Sequence, residues 1–164
     1  MTAEPQNEES RPERLRRLDR IFQAFPIYFV TACTFARKAV LSTDEVHKAF
    51  LEFAHGGEEH GAYIGSYVIM PDHLHLFVAL AEDRLLSDWM KSLKNSLSKA
   101  LRRTGISAPH WQKGFFDHVL RNGESYEEKW WYVRENPVRA GLVKRWEDWP
   151  FCGEIFALEY RAED

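Results

Sequence analysis

Two histidines one residue apart, His73 and His75, sit inside an otherwise apolar run, Tyr67-Val-Ile-Met-Pro-Asp-His-Leu-His-Leu-Phe-Val78. Side chains alternate across a β-strand, so a strand here would send both imidazoles out of one face and Leu74 and Leu76 into the other. Two imidazoles side by side on a rigid strand are half of a metal site. A second group of chemically capable residues lies further along. Lys129, Tyr132 and Asn136 are spaced three and four apart. A helix there would place an ammonium, a phenol and an amide oxygen on one polar flank, beside an apolar stripe of Tyr126, Trp130 and Val133. A phenol near a metal-bound phosphate is a nucleophile able to form a covalent ester. Tyr126 is a rival nucleophile, since Tyr126-Glu-Glu-Lys129 repeats a Tyr-x-x-Lys arrangement, but it shares the apolar stripe.

The elements that must hold these groups can be read from pattern. Pro26 to Phe35 is rich in β-branched and aromatic residues and predicts a first strand. Thr43 to Phe53 predicts a helix, capped by Ser42 or Thr43 and ended by Gly56-Gly57. Ala62 to Met70 and His73 to Leu80 predict two strands joined at Pro71-Asp72 as a hairpin. Leu86 to Arg103 is the clearest helix, with Leu86, Trp89, Met90, Leu93, Leu97, Ala100 and Leu101 on one side. Gly114 to Leu120 alternates and predicts a fourth strand. Ser125-Tyr-Glu-Glu128 opens a further helix with a capping box, and Pro137 should stop it at Asn136. Gly141 closes a following turn. The order β-α-β-β-α-β-α predicts an α+β, ferredoxin-like antiparallel sheet with helices packed on it, in a single domain.

Composition narrows the class. The chain has 164 residues, 45% of them hydrophobic, with six Trp and a net charge of −3. That is the composition of a globular chain and not of a disordered one. No segment has the length and apolarity of a transmembrane span, and residues 1–10 lack the apolar stretch of a secretion signal. Cys33 and Cys152 are the only cysteines, far apart, which fits a reducing cytoplasm. The weakly acidic total hides two basic segments. Arg11, Arg14, Arg16, Arg17 and Arg20 crowd an N-terminal arm, residues 1–25. Lys91, Lys94, Lys99, Arg102 and Arg103 occupy a stretch without acids. Both could track a phosphate backbone, with Lys91, Lys99 and Arg102 opposite the apolar side of their helix and Lys94 at its edge. His55, Glu58, Glu59 and His60 surround Gly56-Gly57 and read as a solvated loop. Trp146, Trp149 and Phe151 read as core packing near the end of the chain.

Three blocks, in order, resemble the REP-associated tyrosine transposases, within the wider IS200-like single-tyrosine HUH transposase group. They are Tyr-Val-Ile-Met-Pro-Asp-His-Leu-His-Leu, then Trp111-Gln-Lys-Gly-Phe-Phe-Asp-His118, then Tyr132-Val-Arg-Glu-Asn-Pro-Val-Arg-Ala-Gly-Leu142. The likeness runs from about Tyr28 to Phe151, inside an expected domain of residues 26–155 with a tail at 156–164. The resemblance implies that His73 and His75 are metal ligands, Asn136 the third ligand and Tyr132 the nucleophile. It implies a divalent cation, Mg²⁺ or Mn²⁺, and a single-stranded or hairpin DNA substrate. It also implies cleavage through a 5′-phosphotyrosine, in a cytoplasmic, nucleoid-associated protein acting as a monomer or a homodimer. Arg14, Arg16, Arg17, Lys91, Lys94, Lys99, Arg102 and Lys129 become candidate DNA contacts. The family pattern usually carries Asn at the position of Asp72, where a carboxylate would tighten the cation or cap the turn. Asp117 and His118 alternate across the expected fourth strand, so one of them faces the site. Two other functions stay open from the residues: a DNA hairpin-binding protein that no longer cuts, and a phosphodiesterase that uses metal-activated water.

Overall fold

A computed structural model of the chain describes residues 25–120 and 126–158. Its centre is a five-stranded, fully antiparallel sheet in the order β4-β1-β3-β2-β5. The strands are β1 (Ile27–Cys33), β2 (Ala62–Ile69), β3 (His73–Leu80), β4 (Phe116–Val119) and β5 (Cys152–Glu154). Helix α1 (Asp44–Gly56) joins β1 to β2, and α2 (Leu86–Arg103) joins β3 to β4. The first four strands and two helices make the β-α-β-β-α-β order of a ferredoxin-like fold. Helix α3 (Tyr126–Arg134) and the single turn α4 (Asn136–Arg139) follow β4. Among the described residues no helix is long and apolar enough to cross a membrane.

Strict alternation along β3 builds two different faces. Leu74, Leu76, Val78 and Leu80 join Val30 and Ala32 of β1 in the main core, which α1 covers with Val46, Ala49 and Phe50 and α2 with Met90, Leu93 and Leu97. The other face carries His73, His75, Phe77 and Ala79, paired across β1 with Cys33, Thr31, Phe29 and Ile27. Helix α3 lies on that face. Tyr126 packs with Phe77 and Ile27 under one end of the helix, and Val133 packs with Val68 and Met70 under the other. Trp130 touches both clusters. The stripe of Tyr126, Trp130 and Val133 is therefore the buried side of α3, as its helical spacing predicts.

A bulge in β2 seats α3. The register with β3 shifts between Ile64 and Tyr67, so Tyr63 and Val68, five residues apart, both face the helix. The freed backbone N–H of Ser66 donates to the Tyr126 hydroxyl at 2.8 Å. A Cβ on Gly65 would lie 2.6 Å from that hydroxyl and 2.7 Å from Leu158 Cδ1. Glycine is needed there because another element approaches the backbone too closely for a side chain.

The hairpin turn is also held from outside. Met70 N–H donates to His73 O at 2.8 Å across Pro71-Asp72. The Thr34 N–H and hydroxyl both donate to Asp72 O, at 2.9 and 3.1 Å, and Leu41 N–H donates to Pro71 O at 2.9 Å. The segment that leaves β1 thus fixes the turn on which the histidines begin.

Several expectations shift. Helix α1 runs on to Gly56, with the Thr43 hydroxyl accepting Val46 N–H as its cap. The fourth strand is shorter than residues 114–120. Residues 111–115 are pinned to α2 instead, where the Trp111 indole N–H donates to Lys94 O at 3.2 Å and Ser98 Oγ at 3.1 Å. Helix α3 ends at Arg134, and Asn136-Pro137 opens a new turn, since proline fits the first positions of a helix that it cannot continue. Gly141, at φ 74°, ends that turn while Leu142 N–H reaches back to Pro137 O. Strand β5 was not expected: three residues of the C-terminal segment pair with β2. Packing continues past residue 155, since Phe156 meets the Tyr63 ring edge-on at 5.4 Å and Leu158 is buried. The arm with Arg14, Arg16 and Arg17, the Ser125 cap and residues 159–164 lie outside the described residues.

Candidate active site

The two imidazoles stand together at the start of β3, ring centroids 4.8 Å apart and nearly perpendicular. Each has its Nδ1 engaged by a different neighbour. His73 Nδ1 is 2.8 Å from Asp72 Oδ1, and His75 Nδ1 is 2.7 Å from Thr31 Oγ1. Occupying Nδ1 orients each ring and leaves Nε2 as the nitrogen for a ligand. His75 also stacks on Phe29, with centroids 5.5 Å apart. Burial, then the positive charges of His73, Arg139 and Arg37, bring the His75 pKa down to about 3. Near neutral pH His75 is therefore an uncharged imidazole, the form that coordinates metals.

Asp72 points at His73 and not outward. Burial alone would raise its pKa, but the His73 hydrogen bond and the Arg37 charge outweigh that and lower it. Arg37 closes the arrangement, with Nε donating to Asp72 Oδ2 at 2.9 Å and Nη1 to Cys33 Sγ at 2.8 Å. To do so, Ala36 and Arg37 both adopt left-handed backbone angles, φ 53° and 54°. Two consecutive non-glycine residues in that region carry strain, which the contacts of the Arg37 side chain hold in place. The Asp72 carboxylate thus bridges the His73 ring and the Arg37 guanidinium.

The helical half of the site is tied together by Arg139. Its Nη2 donates to Tyr132 O at 2.8 Å and to Asn136 Oδ1 at 3.1 Å. Its guanidinium carbon lies 4.2 Å from the centroid of the Tyr132 ring, and its charge is felt at His75. Asn136 is fixed further by Nδ2 donating to Val133 O at 2.8 Å. Lys129, one turn before Tyr132, places its ammonium 5.6 Å from the Phe29 ring that His75 stacks on. The Tyr132 flank of α3 is thus the flank beside the histidines, and Tyr132 itself is 68% exposed. Tyr126 is the opposite case. It is buried, bonded to Ser66, and burial above all pushes its pKa up to about 12. It is a packing residue, as its place in the apolar stripe implies.

The basic helix is arranged differently from the pattern-based expectation. Lys91, Lys99 and Arg102 are exposed, but α2 packs on the Leu74 and Leu76 face. The sheet therefore stands between these cations and the two histidines. Lys94 is turned inward: its ammonium donates to Gln112 O and Gly114 O and lies 5.9 Å from the Trp111 ring. It holds the loop before β4 while half-buried, and burial lowers its pKa. In β4, His118 pairs with Phe29 and Asp117 with Val30. His118 is therefore the one on the histidine face, and Asp117 the one on the helical-core face. Among the described residues, no three His, Cys, Asp or Glu side chains cluster as a metal site, so His55, Glu58, Glu59 and His60 form none. Pattern reading missed Thr31, Arg37 and Arg139. A usable signal existed for Thr31, since antiparallel register alone puts a β1 residue opposite His75.

Known proteins resemble this chain in sequence and in fold. The family model described as Transposase IS200 like matches residues 26–135. A REP-associated tyrosine transposase of Escherichia coli K12 is 34% identical over 90 residues, 54% of this chain; the match spans about half (52%) of that relative's length. A Haemophilus influenzae protein provisionally given the same name is 26% identical over 84% of this chain and 83% of its own length. Among solved structures, a REP-associated tyrosine transposase bound to a REP hairpin superposes with a TM-score of 0.63. It is 26% identical, covering 77% of this chain and 75% of that one. With the family model spanning two-thirds of the sequence, the chain belongs to the IS200-like transposase family.

Proposed function

We propose that the protein cleaves and rejoins single-stranded DNA at REP-like hairpins, with Tyr132 as nucleophile. The observation that carries this reading is two imidazoles, each with Nδ1 engaged, on the sheet face that α3 covers, where the helix also carries the exposed Tyr132 and sets Lys129 over the Phe29 ring stacked on His75. The hairpin substrate is suggested by the solved relative described as bound to one.

The residues fit a divalent cation, Mg²⁺ or Mn²⁺. Both histidines keep Nε2 for it, His75 is held neutral, and Asn136 Oδ1 has a second lone pair beside the bond from Arg139. A cation held by His73, His75 and Asn136 would polarise the scissile phosphate and neutralise charge that develops on it. Imidazole ligation favours Mn²⁺ over Mg²⁺. The chain's own groups do the rest. The Tyr132 hydroxyl loses its proton, and its oxygen bonds to phosphorus as the bond to the 3′-oxygen breaks. The released 3′-oxygen takes a proton and becomes a hydroxyl, while the 5′-phosphate stays on the tyrosine. Attack by a 3′-hydroxyl on that ester reverses the step and reseals a strand, so no external energy source is needed. Arg139, 4.2 Å from the centroid of the Tyr132 ring, would set a positive charge beside the phosphate that the phenol attacks. Among the described residues Arg139 makes both its hydrogen bonds through Nη2, leaving Nη1 and Nε to donate to the phosphate.

The test is incubation of the protein with a labelled hairpin and Mn²⁺. The expected result is a covalent protein–DNA adduct that disappears in Tyr132→Phe. Cleavage that survives Tyr132→Phe would assign the chemistry to activated water instead, and tight retention without cleavage would make this a hairpin-binding protein. Light scattering of the free and DNA-bound protein separates action as a monomer from action as a homodimer.

A further inference from the structure

The crest of α3 carries a second aromatic that the proposed chemistry does not use. Trp131 is 60% exposed. It is not loose. The Arg134 guanidinium lies 4.8 Å from its ring, and the same guanidinium lies 4.5 Å from the ring of Trp146. Among the described residues, Arg134 Nε is buried with no hydrogen-bond acceptor. The arginine thus lies against both rings, and cation–π attraction to each holds it beside the Trp131 side chain. Two rings share this cation, and of the two Trp131 is the one open to solvent.

We propose that the open face of Trp131 is a stacking platform for one unpaired nucleobase of the DNA strand, on the flank of α3 opposite Tyr132. This deepens the single-stranded DNA reading given above and rests on it. Trp131 and Tyr132 are consecutive, so their side chains diverge by about 100° around the helix. A strand whose scissile phosphate lies at Tyr132 can cross the crest of α3, about 10 Å wide, and present a neighbouring base to Trp131. The cation against the ring selects the ligand class. A nucleotide brings an aromatic face and a phosphate together, and a positive charge under the ring favours that anion over a neutral or basic partner. Stacking tolerates any base, because every base has a π-face.

The test uses full-length protein in a Tyr132→Phe background with EDTA, so that no cleavage occurs. Binding of a labelled hairpin with an unpaired overhang is followed by fluorescence anisotropy. Trp131→Ala should weaken binding between about 5- and 150-fold, the span of one base–aromatic stack, and Trp131→Phe should keep most of the affinity. An abasic nucleotide at one overhang position should reproduce the loss, and combining it with Trp131→Ala should add nothing. Equal affinity of Trp131→Ala, losses that multiply, or binding indifferent to the overhang would each overturn the platform. So would a Trp131→Ala protein that loses a dimer by light scattering while holding DNA normally, since the face would then belong to a second copy. Circular dichroism and melting of each variant exclude misfolding as the cause. Because nothing is cut here, a failed adduct assay leaves this result readable, and a failed platform leaves the tyrosine chemistry standing.

Discussion

Strand β3 has two faces made by alternate residues of one segment, and they are built on different physical terms. Leu74, Leu76, Val78 and Leu80 enter a core closed by two long helices. There the requirement is volume and apolarity, and many side chains would serve. His73 and His75, offset by one residue, enter a face that α3 covers and that carries Thr31, Phe29, Asp72 and Arg139 around two rings. There the requirement is a particular donor or acceptor at a particular atom. The first face makes the sheet rigid, and the second uses that rigidity to aim nitrogen atoms.

The largest expected contrast comes from exchanging damage between the faces. His75→Ala should reduce the adduct rate by more than about 100-fold and remove Mn²⁺ binding in calorimetry, because a direct ligand should cost more than the 10- to 100-fold typical of an orienting partner. Its thermal stability should change little, since a half-buried, uncharged imidazole leaves only a small gap. Leu76→Ala should do the reverse, lowering stability by about 2–5 kcal/mol as a fully buried leucine leaves a cavity under α1 and α2. Its adduct yield per folded molecule should stay near that of the parent protein. If Leu76→Ala cut the chemistry as deeply at temperatures where it is folded, the two faces would not be separable.

The same contrast explains what could be read in advance. Alternation and helical spacing are one-dimensional signals, and they marked β3 from His73 to Leu80 and α2 from Leu86 to Arg103. They also marked the buried stripe of α3. The elements that escaped depend on tertiary contact. Strand β5 is three residues around Gly153 with no alternation of its own, and it is a strand only because the β2 edge is open beside it. Lys94 lies on an otherwise basic surface stretch, and its inward turn is decided by two carbonyls from a loop about twenty residues away. Arg139 reads as one more surface cation until α4 folds back and lays it over Tyr132.

A smaller effect tests whether the orienting bonds matter beyond packing. Thr31→Val keeps shape but removes the partner of His75 Nδ1, and Asp72→Ala removes that of His73. Each should weaken Mn²⁺ affinity by about 10- to 100-fold. Asp72→Ala should also loosen Arg37, whose left-handed backbone is held partly by that carboxylate. Proteolysis near residues 34–38 should then rise in Asp72→Ala and not in Thr31→Val. Unchanged metal affinity in both would mean that the ring orientations come from Phe29 and β3 alone.

The smallest effect is in the pH dependence of stability, measured with EDTA so that no cation contributes. His75 is lowered to about 3 in the fold by burial first and neighbouring cations second, against roughly 6.5 in an unfolded chain. The unfolded state therefore binds the proton more readily. The resulting stabilisation is whole above about pH 6.5 and is lost as pH falls towards about 3. His75→Gln cannot be protonated and should lack this component. Carboxylates titrate in the same window, but they do so in both proteins and largely cancel in the difference. The stability of the parent protein relative to His75→Gln should thus fall steadily from about pH 6.5 downwards, by urea midpoints at each pH. A constant difference would mean that the imidazole meets solvent and takes up protons freely. The histidine face would then be an open surface and not the shielded counterpart of the leucine face.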